Sequence, residues 1–141
     1  MSTAITKMPA HVLQVRHDGG ERYEITVRGH RILVDQPAEA GGEDAAPTPV
    51  EIFVASLAGC VAYYAGRFLT SHGITREGLG VQVAYRMAAD RPARVAAIDL
   101  TVTVPAALPA HRRPALCAVI EHCTVHNSLA DPPSVRIDLT A

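Results

Sequence analysis

One long apolar stretch, from Thr48 to Gly73, constrains the fold of this chain more than any other sequence feature. Thr48 and Glu51 have the spacing of a helix capping box, and Pro49 suits the first helical position. Gly73 can take the left-handed conformation that ends a helix. The residues between are apolar or small on nearly every face, which is typical of a buried helix. We therefore predict one long, buried central helix.

The size of the chain limits what can surround this helix. The 141 residues fit one domain, 1–141, of which 48% are hydrophobic. So small a chain does not easily cover a helix that is apolar all round, and we therefore expect a homodimer. The net charge of −1 gives no electrostatic support for binding nucleic acid or a membrane surface.

The N-terminal residues and the cysteines indicate the cellular compartment. The N-terminus lacks the apolar core of a signal peptide. The apolar run of the central helix is shorter than the roughly 20 residues that a spanning helix needs. Three cysteines without a secretion signal favour a reducing setting. We therefore expect a soluble, cytoplasmic protein.

Alternating apolar and polar residues predict strands on both sides of the central helix. Three of these strands form an N-terminal meander, and two more follow the helix: His11–His17, Arg22–Arg28, Arg31–Gln36, Gly80–Met87 and Val95–Val104. A second, cysteine-bearing helix runs from Pro114 to Cys123, and Ser134–Thr140 is the final strand. This order predicts an α+β fold. The long loop Pro37–Pro47 is a candidate functional loop.

Three cysteines are the first candidates for chemistry. Each can be explained as a small buried hydrophobe, since free cysteine is often buried. Cys60 lies near the middle of the central helix, and Cys123 lies on the apolar stripe of the second one. Cys117 is six positions before Cys123, so the two face different ways on a helix. If two thiols meet, Cys60 and Cys123 are the better pair.

A reactive Cys60 needs a cation from elsewhere in the chain. It lies about three turns into its helix, where the helix dipole no longer acts. Arg22, beside the Gly19-Gly20 turn, is the most loop-like of the early arginines, although a solvated strand face also explains it. Glu51 could hold such an arginine, although a capping box also explains this glutamate.

The surroundings of Cys60 predict an apolar site without a metal. Phe53, Leu57 and Tyr64 lie on neighbouring turns of the central helix and could form a substrate-binding wall. The segment His122–His126 has a Cys and two His, but no second close-spaced pair completes a metal site. No cofactor motif for a nucleotide or a phosphate is present.

Three blocks of the sequence resemble the OsmC/Ohr family of stress-induced, cysteine-based peroxidases. Gly29–Pro37 resembles the third strand of that family and the turn after it. Pro49–Cys60 is similar to its P-x-E-L-L-L-A-S-L-A-x-C helix, and Glu121–Leu129 is similar to its E-x-C-P-V-H-N-T-L block. The likeness spans roughly residues 12–139, in the same order.

The resemblance implies an OsmC-like fold and a peroxidase chemistry. Members are intertwined homodimers with active sites at the subunit interface. Cys60 matches the peroxidatic cysteine and Cys123 the resolving one. In the organic-hydroperoxide branch a Glu–Arg pair activates the thiolate, and a dithiol such as a lipoyl protein reopens the disulfide.

Two departures place the chain nearer to the broad OsmC-like branch. Glu51 is nine positions before Cys60, whereas the family's catalytic glutamate is typically ten before, where Val50 stands. Glu21 also separates the two turn glycines from Arg22.

The sequence therefore predicts a thiol-dependent peroxidase that reduces organic hydroperoxides. Cys60 would form a sulfenic acid, Cys123 would convert it to a disulfide, and an external dithiol would reopen that bond. Two alternatives remain open: a non-catalytic, small-molecule-binding dimer, and a thiol redox sensor.

Overall fold

The structure, a computed structural model, describes residues 10–141. Five strands, three α-helices and two short 3₁₀ turns follow one another along these residues. In chain order the strands and helices are β1 Gln14–Gly19, β2 Arg22–Val27, β3 His30–Val34, α1 Pro49–Ser71, β4 Gly80–Met87, β5 Val95–Thr103, α2 Arg113–Ile120 and α3 Thr124–Ala130. The predicted α+β class is confirmed. The described chain divides into two compact units, residues 10–53 and residues 54–141.

The first unit is built on the predicted three-stranded meander. Strands β1, β2 and β3 pair antiparallel in that order. Arg28 and Gly29 join β2 to β3 and both have positive φ, +49° and +80°. Two such residues make the tight turn whose twist matches that of paired strands. Strand β1 starts three residues later than predicted and ends two residues later, and it reaches Gly19 because Gly19 pairs with Arg22 across an irregularity in the ladder.

The loop after β3 is organised by one buried carboxylate. Asp35 is only 1% exposed, and its two oxygens accept hydrogen bonds from the backbone N–H groups of Gln36, Glu43 and Ala45 at 2.8–3.3 Å. Gly42 is required here, because a Cβ at that position would lie 2.0 Å from the Gln36 carbonyl oxygen. The loop is therefore a folded element.

Low pH is expected to reduce the contribution of this loop to the stability of the protein. The backbone N–H groups, that of Ala45 first, lower the pKa of Asp35. A carboxyl whose pKa is lowered on folding stabilises the protein above its ordinary pKa of about 3.9, and this contribution fades as the pH falls through the folded value. In Asp35→Asn an amide N–H₂ would face N–H donors, so we expect this variant to unfold at lower temperature at neutral pH.

Thermal unfolding from pH 7 to pH 3 checks this expectation. The gap between the wild type and Asp35→Asn should narrow below about pH 4. Asp44→Asn is the matched control, because Asp44 is exposed and its positive φ of 53° suits asparagine. A gap that stays constant with pH, or one that Asp44→Asn reproduces, would contradict the role of the Asp35 carboxylate.

The second unit packs a two-stranded sheet and two helices on α1. Strands β4 and β5 pair antiparallel, with Val81 opposite Val102 and Val83 opposite Leu100. One core cluster gathers the C-terminal half of α1 with the segment that leads into α2: Ala65, Phe68, Leu69, Leu108 and Leu116. A second cluster lies nearer the middle of α1 and contains Leu57, Val61 and Cys123.

Three finer expectations of the sequence need correction. The first is the burial of α1, which the sequence expects to be complete only where a partner covers the remaining faces. In the single chain one face is buried (Val54, Leu57, Val61, Ala65, Gly66, Phe68 and Leu69), whereas Phe53 and Tyr63 are 43% and 55% exposed. By length and composition alone α1 could cross a membrane, but the core helix of a soluble protein meets the same test.

The second correction concerns the cysteine-bearing helix. Helix α2 ends at Ile120 and carries Cys117, and a new helix, α3, begins after Cys123. Cys123 has extended backbone angles, φ −68° and ψ 155°, which a continuous helix does not allow. The apolar stripe was predicted correctly up to Ile120, but periodicity could not show the break.

The third correction is the closing strand. Residues 134–140 form no strand with any part of the chain that the structure describes. Val135, Ile137 and Leu139 alternate as a strand would, but they are 78%, 85% and 97% exposed. A strand requires a partner for its backbone hydrogen bonds, and the alternation of side chains does not supply one.

Candidate active site

Cys60 lies in the middle of α1, on the border between its buried and exposed faces. The side chain is half-buried and packs against the cluster of Leu57, Val61 and Cys123. The neighbouring Leu57 and Val61 are each 5% exposed, so the thiol borders the apolar core. The half-buried Cys60 is therefore partly open to solvent beside apolar side chains.

Cys123 occupies the N-cap of α3 and is fully buried. Its sulfur accepts a hydrogen bond from the backbone N–H of His126 at 3.4 Å and interacts directly with the thiol of Cys60. Burial raises the pKa of Cys123, and the nearby Cys60 raises it further, whereas the His126 N–H lowers it. At neutral pH Cys123 is therefore a protonated, inaccessible thiol.

The fold thus brings together the two cysteines that the sequence favoured. Both are free thiols in this structure, about sixty residues apart in the chain. Cys117 is exposed on α2 and is not among the residues of their cluster. One accessible thiol in contact with one buried thiol is the arrangement that a nucleophile and a resolving partner require.

The predicted substrate wall is assembled in part. Leu57 is buried beside the thiols, and Tyr64 packs against the same cluster. The Tyr64 hydroxyl also forms a 2.8 Å hydrogen bond with the hydroxyl of Thr124, directly after Cys123. Phe53 lies in the first compact unit, 43% exposed, and is not among the described residues of this cluster.

Arg22 has two carboxylate partners in the first unit. Its Nε donates to Asp18 at 3.3 Å, and its Nη1 donates to Glu43 at 3.0 Å. These contacts, that of Asp18 first, raise the pKa of Arg22. Arg22 is the first residue of β2, and its side chain is 26% exposed.

Glu51 forms the predicted capping box. The backbone N–H of Thr48 donates to the Glu51 carboxylate at 2.9 Å, and the N–H of Glu51 donates to the Thr48 hydroxyl at 3.1 Å. This reciprocal pair defines the start of α1. The carboxylates on Arg22 are those of Asp18 and Glu43, so the alternative in which Glu51 holds this arginine is not the arrangement seen.

Sequence reasoning missed three residues that shape this region. Asp18 is four positions before Arg22 across a glycine turn, a local signal that could have been used. Glu43 is twenty-one positions from Arg22, and only the folded loop makes them neighbours. Thr124 is sixty positions from Tyr64, and no sequence pattern links them.

The His122–His126 segment has local structural contacts. The Nδ1–H of His122 donates to the Ala118 carbonyl oxygen at 2.8 Å. Asn127 donates from its side chain to the His122 carbonyl oxygen, which helps to separate α2 from α3. Among residues 10–141 no three His, Cys, Asp or Glu side chains are grouped as metal ligands.

The fold and the thiol pair define a class: an α+β protein with two cysteines in contact, one open to solvent and one buried. The chain belongs to the OsmC-like protein family, because the sequence profile of that family matches residues 41–138, more than half of the chain. This finding confirms the resemblance found in the sequence. OsmC-like proteins are soluble proteins. No curated protein sequence matches the chain.

Solved structures share the fold over most of its length. An osmotic stress induced and detoxification response protein from Psychrobacter arcticus matches with a TM-score of 0.77 and 23% identity, over 88% of this chain and 91% of that one. An OsmC-like protein from Mycoplasma pneumoniae matches with a TM-score of 0.74 and 14% identity, over 88% and 89%. An organic hydroperoxide resistance protein OsmC from Legionella pneumophila matches with a TM-score of 0.66 and 19% identity, over 88% and 91%.

Proposed function

We propose that this protein is a thiol-dependent peroxidase that reduces organic hydroperoxides to alcohols. The contact between accessible Cys60 and buried Cys123 is the observation that carries the proposal. Family membership supports it, as does the fold shared with a protein named for organic hydroperoxide resistance. We also propose a single-domain cytoplasmic protein that needs no cofactor for this reaction.

The reaction begins at Cys60. Its thiolate attacks the outer peroxide oxygen, the O–O bond breaks, and the alkoxide leaves as an alcohol after taking a proton. Cys60 is then a sulfenic acid. The Cys123 sulfur then attacks the Cys60 sulfur, a disulfide forms, and water leaves. This step needs no external oxidant or reductant. An external dithiol, such as a lipoyl protein, supplies two electrons and two protons to restore both thiols.

The pKa of Cys123 fits the second role. A buried thiol with a raised pKa stays protonated while the Cys60 thiolate attacks the peroxide, and so does not compete with Cys60 for the peroxide. Once Cys60 is a sulfenic acid, its packing against the cluster that contains Cys123 favours attack by the Cys123 sulfur. Closeness of this kind raises the rate of an intramolecular step.

Arg22 and Glu51 remain candidates for activating Cys60. A thiolate is favoured by a nearby guanidinium, which can also hydrogen-bond the leaving oxygen. Arg22 forms ion pairs with Asp18 and Glu43, which fix the orientation of its guanidinium at the start of β2. Glu51 supports the start of the helix that carries Cys60, so its effect on catalysis would act through the position of that helix.

Mapping of oxidised cysteines tests the proposal directly. After one equivalent of an organic hydroperoxide, peptide mass spectrometry should find Cys60 linked to Cys123 within one chain and Cys117 still reduced. The contact of the first two thiols and the separate position of Cys117 on α2 are the reason. A linkage through Cys117, or two unreacted thiols at Cys60 and Cys123, would contradict this function.

The protein is further proposed to be a homodimer. Phe53 on α1 and the apolar residues Val135, Ile137 and Leu139 of the C-terminal segment are all strongly exposed in the single chain. Burying them against a second copy would contribute about 25 cal/mol for each Å² removed from water. Sedimentation at micromolar concentration should give twice the mass of 15.0 kDa. A monomeric mass would disprove the dimer.

A further inference from the structure

A recess lies on the same helix as Cys60 and begins about one turn further along, at Tyr63 and Tyr64. Its volume is about 510 Å³, and its walls come from the C-terminal half of α1 and from α2. The lining residues are Tyr63, Tyr64, Arg67, Phe68, Ser71, His72 and Val119. All belong to the second compact unit. A recess of this size falls within the range of small-molecule sites.

The walls of this recess are mainly aromatic. Phe68 and His72 stack with ring centroids 4.1 Å apart, and Tyr63 meets Tyr64 edge-on at 5.7 Å. The Nδ1–H of His72 donates to the Phe68 carbonyl oxygen at 2.8 Å, which fixes the imidazole against the helix end. These paired rings form a preorganised apolar surface for a flat or hydrocarbon group.

One cation stands at this apolar surface. Arg67 donates to the Tyr63 hydroxyl at 3.1 Å, and its guanidinium lies 6.0 Å from the centre of the Tyr63 ring. The Arg67 side chain is exposed, and no carboxylate of residues 10–141 forms an ion pair with it. A guanidinium stays charged and has five donors, of which this contact uses one.

We propose that this recess binds an organic carboxylate. The Arg67 guanidinium would take the carboxylate, and the aromatic wall with Val119 would bury the hydrocarbon part. Arg67 lies about 10 Å along α1 from Cys60, at a rise of about 1.5 Å per residue, whereas Tyr64 also packs against the cluster of Cys60. It does not depend on thiol chemistry, so it holds whether or not the proposed peroxidase activity does.

A fluorescence titration with 2-naphthoate tests the site, with neutral 2-naphthamide as the matched probe. The chain contains no tryptophan, so the naphthyl signal can be followed without that background. The dissociation constant of naphthoate should be at least about tenfold lower than that of naphthamide. This ratio corresponds to the free energy of one charge-assisted hydrogen bond. Equal affinities, or no binding of naphthoate up to about 1 mM, would overturn the proposal.

Two substitutions locate the site. Arg67→Gln should reduce naphthoate affinity to that of naphthamide and leave naphthamide unchanged. Arg113→Gln removes the same charge from an exposed position on α2 and should change neither affinity. Naphthoate affinity that survives Arg67→Gln, or that falls equally in Arg113→Gln, would show that Arg67 does not bind the carboxylate. The same titration on Cys60→Ser should be unchanged, which separates this site from the peroxidase reaction.

Discussion

Cys60→Ser is expected to lose hydroperoxide turnover by about three orders of magnitude or more, as the loss of a catalytic nucleophile does elsewhere. A serine hydroxyl at this half-buried position keeps the packing on Leu57 and Val61 but is not ionised at neutral pH. Steady-state consumption of cumene hydroperoxide with an excess of a dithiol measures the change. Cys117→Ser, on exposed α2, should retain wild-type activity.

Cys123→Ser separates the two thiol roles when no dithiol is added. This variant should consume one peroxide per site, as the wild type does, but should end as a Cys60 sulfenic acid and not as a disulfide, because no neighbouring thiol condenses with it. The apolar wall beside Cys60 also predicts that cumene hydroperoxide reacts faster than hydrogen peroxide, which has no group to bury there. Full activity in Cys60→Ser, or a clear preference for hydrogen peroxide, would contradict the proposed mechanism.

Leu69→Ala is expected to lower the free energy of unfolding by about 2–5 kcal/mol, the usual cost of a cavity in a packed core. Leu69 is 0% exposed and contributes to the cluster of Phe68, Leu108 and Leu116, which joins α1 to the segment around α2. Urea unfolding at a fixed protein concentration measures the loss as a shift of the midpoint with an unchanged slope.

Leu13→Ala is the matched control for this substitution. It removes the same three carbon atoms from a side chain that is 56% exposed, so we expect a loss under about 1 kcal/mol. If Leu69→Ala cost no more than Leu13→Ala, the cluster on the C-terminal half of α1 would not be the main core of the second unit. A change in slope would instead indicate a change in the unfolded state or in cooperativity.

The local chemistry of the chain was enough to predict its main elements. The capping residues Thr48 and Glu51 defined the start of α1, and Gly73 its end, because these signals act within one turn of the backbone. Strand β4 was predicted at its observed bounds, since alternation along one strand is also a local property. The choice of Cys60 and Cys123 as partners rested on placing Cys123 in a helix that ends at Ile120 in the structure.

Features that depend on contacts between residues far apart in the sequence were visible only in the tertiary structure. The alternation in residues 134–140 could not show whether a neighbouring strand was present. The apolar stripe of the second helix could not show that the backbone turns at Cys123 and begins α3 there. Glu43 reaches Arg22 only because the Asp35 carboxylate folds the intervening loop.

The sequence by itself therefore determined the α+β class, the long helix and the two thiols worth testing. Only the tertiary structure decided that Cys60 is accessible while Cys123 is buried and has a raised pKa. It also decided that Arg67 lacks a carboxylate partner within the described chain. Helix caps and alternation act over a few residues, whereas burial and ion pairing depend on which segments pack together.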